Sequence, residues 1–153
     1  MAKIVIRDGE ATDHPFVRET IKANLLTNSA YFARLPASVF GLLIDPMIAT
    51  HKLFVAQPVD SPADIVGFLL GDPPSTVSFV YVRNGMRRGG VATALASVAG
   101  IEKGEIATPF LTTKTDGEGS NFPRVAMSKG YKVRFRPFLP LEVAAALYTV
   151  TSA

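Results

Sequence analysis

Val80-Tyr81-Val82-Arg83-Asn84-Gly85-Met86-Arg87-Arg88-Gly89-Gly90-Val91-Ala92-Thr93-Ala94-Leu95 joins an apolar strand, a basic glycine-rich turn and the start of a helix. The first N–H groups of a helix lack partners within it and sit at the positive end of its dipole. A turn of this kind can hold an anion, a pyrophosphate above all. Gly89 and Gly90 remove the Cβ atoms that would keep the anion off the backbone. Arg87 and Arg88 add charge for phosphate oxygens. The stretch has neither the Gly-Lys-Ser/Thr of a P-loop nor the Gly-x-Gly-x-x-Gly of a dinucleotide fold. Taken alone, it reads equally well as a solvated turn with a helix cap and two surface arginines.

The segments on either side have their own periodicities. Positions 77–83 read as the central strand and 88–100 as the helix that follows it. Ala92, Ala94, Ala96 and Ala99 would let that helix lie close to a sheet. Upstream, 4–7 is a short strand. A helix over 13–26 is capped by Asp13 or Thr12, with Pro15 in its first turn. Ser38 caps a second helix, which Asp45-Pro46 is expected to break before a further turn at 47–50. Strands are expected at 52–57 and 64–70, paired as a hairpin across the loop 57–63, and Asp72-Pro73-Pro74-Ser75 is a turn. Downstream come a strand at 107–114, a helix from about 120 to Lys129 ended by Gly130, a strand at 131–138 and an apolar helix at 141–148. This order gives one α/β (α+β layered) domain spanning 1–153, with a mixed, mostly antiparallel sheet flanked by helices.

Bulk properties narrow the classes. With 153 residues, 48% hydrophobic and 19% charged, the chain can bury a sizeable core. No 18-residue apolar run is present, so no membrane span is expected. The opening Met1-Ala2-Lys3-Ile4-Val5-Ile6-Arg7 regains charge too soon for a signal peptide. Zero cysteines exclude disulfides, thiolate metal ligands and a cysteine acyl-enzyme, and a cytoplasmic setting is expected. Two separated histidines without clustered acids give no metal site. The net charge is +3, yet 83–136 holds ten Lys/Arg against four Asp/Glu. An anionic ligand accounts for that field, and so would nucleic acid.

Arg87-x-x-Gly90-x-Ala92 resembles the acetyl-CoA signature Gln/Arg-x-x-Gly-x-Gly/Ala of the GNAT superfamily of N-acetyltransferases. The order of elements resembles that family over nearly the whole chain. So do Ile65-Val66-Gly67-Phe68-Leu69 and the run from Asn121 through Lys129-Gly130-Tyr131. A narrower resemblance, to a GNAT group encoded by bacteriophages and prophages, lies in Tyr31, Pro36, Phe40, the run 60–67, Phe79-Val80-Tyr81-Val82-Arg83 and the run 134–139. It implies an infected bacterial cell as the setting.

The resemblance implies acetyl-CoA as cosubstrate and direct attack of an amine on its thioester. A bulge would splay the central strand from its neighbour, and the backbone of Val80, Tyr81 and Val82 would pair with the pantetheine amides. The N–H groups of Arg88, Gly89, Gly90, Val91, Ala92 and Thr93 would hold the pyrophosphate, with Thr93 adding a hydroxyl, and Asn121 would also bind the cofactor. Arg83, Arg87 or Arg88 would reach the ribose phosphate.

The chain departs from the family where many members carry a tyrosine acid, since Ala126 stands there. It also lacks a glutamate base in 75–78. Candidate proton carriers are Tyr81, Ser78 and His51, with Thr112 and Thr113 as relays. Tyr131 and His14 read as packing and surface residues. Asp116 and Glu118 lie in a glycine-rich stretch that is either a connector or a lid. The acceptor is open and includes small amines and amino-modified DNA. The departures leave a second reading, a catalytically inactive GNAT-fold binding or phage assembly module. A nucleic-acid binder ranks third. The apolar C-terminal segment could cover the chain's own sheet or form a homodimer.

Overall fold

The computed structural model describes residues 3–28, 34–61, 63–86, 90–101, 104–109, 127 and 129–151. In chain order these form β1 (Ile4–Asp8), α1 (His14–Asn28), α2 (Ala37–Thr50), β2 (Lys52–Pro58), β3 (Gly67–Asp72) and β4 (Thr76–Val82). Then follow α3 (Val91–Ala99), β5 (Glu105–Thr108), β6 (Lys132–Phe135) and α4 (Leu139–Thr151). The strands make one six-stranded sheet in the order β1-β2-β3-β4-β5-β6. β1 to β4 pair antiparallel, while β5 joins β4 and β6 joins β5 in parallel. The architecture is the expected mixed α/β domain with a mostly antiparallel sheet.

Period-two alternation sends successive strand residues to opposite faces. Leu53, Val55, Phe68, Leu70 and Phe79 face α1 and α2, where they meet Val17, Ile21, Leu25, Ile44 and Met47. Ala56, Leu69 and Val77 face α3, which presents Val91, Leu95 and Ala99 at i, i+4 and i+8. β3 is covered on both faces, and this is why Phe68-Leu69-Leu70 is an unbroken apolar run. α4 lies against α2. Among the described residues no helix is long and apolar enough to cross a membrane.

Four local expectations are corrected. α2 runs unbroken through Pro46. A proline costs about 3 kcal/mol inside a helix, but Ile44, Met47 and Ile48 around it are all buried. Each such side chain contributes roughly 1.5–3 kcal/mol, so packing outweighs the lost hydrogen bond. Asp13 does not cap α1. It closes the 3-10 turn Ala11–Asp13, where its carboxylate accepts the Glu10 N–H at 2.8 Å. Arg7 of β1 holds the same carboxylate in a fork at 2.7 and 2.9 Å, an ion-pair partner outside the local sequence. β3 begins at Gly67 because the preceding residues form the approach, where Val66 N–H donates to Ala56 O at 2.9 Å. The strand expected at 107–114 is Glu105–Thr108 and is followed by Pro109, which has no N–H for a ladder.

Candidate active site

The site is built where β4 leaves its partner β5 and runs toward α3. Val77 and Val80 share the α3 face although they are three residues apart, so β4 carries one extra residue. The register agrees, since Leu70 faces Phe79 and Gly71 faces Val77, leaving Ser78 as the bulge. Bulges bend a strand and re-aim its side chains. On the other edge, Ala107 N–H donates to Ser75 O at 2.8 Å, and Thr76 faces Ala107. Among the described residues the β4–β5 register gives no further pair. The bulge at Ser78 and the proline at 109 both interrupt the ladder there.

Beyond that point Val80 and Val82 pack toward α3, while Tyr81 packs on the opposite face. Tyr81 belongs to an aromatic cluster, with ring centroids 5.5 Å from Phe68 and 6.0 Å from Phe16. Close approach of β3, β4 and α3 depends on Gly67. A Cβ there would lie 2.7 Å from the Tyr81 carbonyl oxygen and 3.2 Å from Val91 Cγ1. The alanines of α3 contribute less than their number suggests, because Ala94 is exposed.

β4 is followed by Arg83, whose N–H donates to Val66 O at 2.8 Å and whose Nη2 donates to Ile65 O at 3.0 Å. Arg83 is thus tied to the approach of β3. A 3-10 turn at Asn84–Met86 follows. Arg87, Arg88, Gly89 and Asn121 lie outside the described residues, as do Thr112, Thr113, Asp116, Glu118, Ala126 and the helix start expected near 120. Gly90 is the N-cap of α3 with φ +83°, and no side chain caps the helix there. Among the described residues, its chain neighbours and the helix's own backbone aside, no heavy atom lies within 4 Å of where its Cβ would be. The first intrahelical bond is Ala94 N–H to Gly90 O at 2.9 Å. The N–H groups of Val91, Ala92 and Thr93 therefore belong to the turn that has no intrahelical acceptors.

Lys129 brings a positive charge to this helix start, its Nζ donating to Thr93 Oγ1 at 2.9 Å. The local sequence around Lys129 indicates only the end of a helix, with no sign of Thr93 as its partner. Gly130, with φ +94°, supports the expected left-handed stop, and its N–H donates to Met127 O at 3.1 Å.

Two of the three candidate proton carriers meet. His51 Nδ1 lies 2.9 Å from Ser78 Oγ. His51 caps the C-terminus of α2, its N–H donating to Met47 O at 2.8 Å. Burial pushes its imidazole below the ordinary histidine range, while the negative charge of Asp72 pulls the other way. His14 opens α1. Tyr131 packs among the residues of the α3 face, as expected. Among the described residues no group of three or more His, Asp or Glu could hold a metal ion.

No protein-family model and no curated protein matches the sequence. Solved structures share the fold. A provisionally named acetyl transferase from Pyrococcus furiosus superposes with TM-score 0.56 at 19% identity, covering 88% of this chain and 96% of that one. A provisionally assigned acetyltransferase from Clostridium difficile 630 gives TM-score 0.54 at 13% identity, covering 87% and 93%. The structure of AAC(6')-Iy with the bisubstrate analog CoA-S-monomethyl-acetylneamine gives TM-score 0.50 at 15% identity, covering 88% and 95%. The chain has the fold of these acetyltransferases, a GNAT-like mixed sheet flanked by helices.

Proposed function

We propose that this protein transfers an acetyl group from acetyl-CoA to an amine. The observation that carries the reading is the junction of β4 and α3. A bulged strand whose described pairing with β5 stops at Thr76 leads into a helix whose cap is an open, left-handed glycine. The residues suit the cosubstrate. Gly90 has no Cβ to fill the cradle, and the first turn of α3 offers N–H groups to an anion. Lys129 and Thr93 add a cation and a hydroxyl beside them. Arg87, Arg88 and Gly89 would complete the pyrophosphate site, and Asn121 would also contact the cofactor. The backbone of Val80, Tyr81 and Val82 would take the pantetheine as an added strand.

When bound, acetyl-CoA supplies an activated thioester. The chain's own part is to orient it, to direct backbone N–H groups toward the carbonyl and to move protons. Orientation alone supplies roughly 7–11 kcal/mol in favourable systems. Further support comes from the shared fold of solved acetyltransferases, one of them held with a CoA-containing analog. The acceptor would be a primary amine, on a small molecule or an amino-modified base.

The test is thiol release from acetyl-CoA with purified protein and a panel of primary amines: putrescine, glucosamine, a lysine peptide and aminomethyl-cytosine DNA. Amine-dependent release by at least one acceptor supports transfer. Cofactor binding with no release from any of them favours the inactive binding module.

A further inference from the structure

The contact between His51 and Ser78 lies at the bulge of β4, just past the point where its described pairing with β5 stops. Ser78 is the extra residue of the β4 bulge, two positions beyond the described pairing of Thr76 with Ala107. It is 1% exposed, so its hydroxyl has little water to bond with. Its described partner is the His51 ring nitrogen at 2.9 Å. His51 itself is half-buried. The pair therefore runs from the interior of the bulge, through one hydroxyl and one imidazole, toward solvent at the end of α2.

The surroundings suit a base. Burial favours the neutral ring, which can accept a proton at neutral pH. Of the charged side chains on the adjoining elements, Asp45 of α2 is paired with Arg18, Lys52 of β2 is exposed, and Asp72 of β3 acts on the ring. Asp72 would stabilise the cation once formed. A serine or a histidine alone would carry no such argument. Their contact at a strand bulge, with the carboxylate beside it, does.

We infer that Ser78 and His51 form the proton relay that prepares the acceptor amine, an inference that rests on the acetyl-transfer reading. An amine at neutral pH is an ammonium ion and has no lone pair for attack. One of its protons passes to the Ser78 hydroxyl as the hydroxyl proton passes to His51 Nδ1, leaving a neutral amine and an imidazolium. The nitrogen lone pair then forms the C–N bond as the C–S bond breaks. The second nitrogen proton neutralises the departing thiolate, and His51 releases its proton to water. No oxidant or further reactant is needed.

The test joins binding, spectroscopy and kinetics. The chain has two histidines, so ring signals of wild type and a His14→Asn variant assign His51 by NMR. Acetyl-CoA binding is measured by calorimetry and thiol release by the same amine panel across pH 5–9. The relay predicts that His51 titrates below the ordinary range of about 6.5 and that saturating acetyl-CoA shifts its signals. It predicts an acid limb in kcat/KM that follows this titration. His51→Gln should lose that limb and at least tenfold in rate while keeping acetyl-CoA affinity within about twofold. Ser78→Ala should lower the rate similarly and leave His51 still titrating below its ordinary value, because burial and not the serine sets that direction. An unchanged pH profile in His51→Gln overturns the relay. So does a His51 signal that ignores bound acetyl-CoA, which can be read on wild type even if the variants fold poorly or no amine reacts. Failure of wild type to bind acetyl-CoA overturns the acetyl-transfer reading, and the relay with it.

Discussion

Gly90 and Gly100 stand at the two ends of α3 with the same left-handed backbone, φ +83° and +76°, and among the described residues, chain neighbours and the helix's own backbone aside, nothing lies within 4 Å of either missing Cβ. Alanine at either site meets no neighbour, so its cost is that of the left-handed conformation, about 1–2 kcal/mol. For a chain of this size that lowers the melting temperature by about 3–6 °C. The two variants should therefore be equally destabilised, and they should differ in binding. Gly90→Ala sets a methyl group at the helix start where the anion would lie, and acetyl-CoA affinity should fall about tenfold, or about 1.4 kcal/mol. Gly90→Asp adds a negative charge and should cost about a hundredfold. Gly100→Ala should bind as wild type. Thermal melts and calorimetry on the same samples decide the matter. Equal loss of affinity at both ends would attribute the effect to helix stability and refute the cradle. So would undiminished binding by Gly90→Asp.

Other residues give independent tests. Asp13→Asn breaks a fork in which Asp13 is 6% exposed and the Arg7 side chain 29% exposed. The cost should be about 2 kcal/mol, between exposed and fully buried pairs. Hydrogen bonding to Arg7 holds the Asp13 carboxyl below its usual range. Its contribution is therefore present above about pH 4 and disappears as pH falls through the folded value. Urea titrations at pH 7 and pH 2.5 should show the gap between wild type and Asp13→Asn closing. Gly67→Ala forces a methyl group to within 2.7 Å of the Tyr81 carbonyl, and the strand must shift at a cost of about 3 kcal/mol; urea midpoints unchanged from wild type would contradict the close packing. Lys129→Ala should weaken acetyl-CoA binding about three- to tenfold at low salt and leave the melting temperature within 2 °C.

The topology was legible because strand alternation and helix periodicity agree over β1 to α3, and the turn residues fall between them. What the sequence hid depends on distance. Pro46 reads as a helix breaker because local propensity sees a missing N–H and not the buried Ile44, Met47 and Ile48 around it. Asp13 reads as a helix cap because its true partner, Arg7, approaches from β1. The bulge at Ser78 leaves no signature in Val77-Ser78-Phe79-Val80, since apolar residues occupy both faces of β4. In the candidate site, the glycine turn ahead of α3 was readable from glycine chemistry, although the helix begins at Val91 and not at Arg88, because Gly90 takes a left-handed backbone. The convergence of Lys129 on Thr93, 36 positions away, and of His51 on Ser78, 27 positions away, comes from tertiary structure. Ser78 and His51 could each be named as proton carriers from residue type, but their contact could not be foreseen.

Everything proposed here depends on the junction of β4 and α3 being a working cosubstrate site. Titration calorimetry of the folded wild-type protein with acetyl-CoA, and in parallel with CoA, tests it most directly. One site per chain is expected, with micromolar affinity that weakens as salt rises. A folded protein that takes up neither compound at millimolar concentration would contradict it.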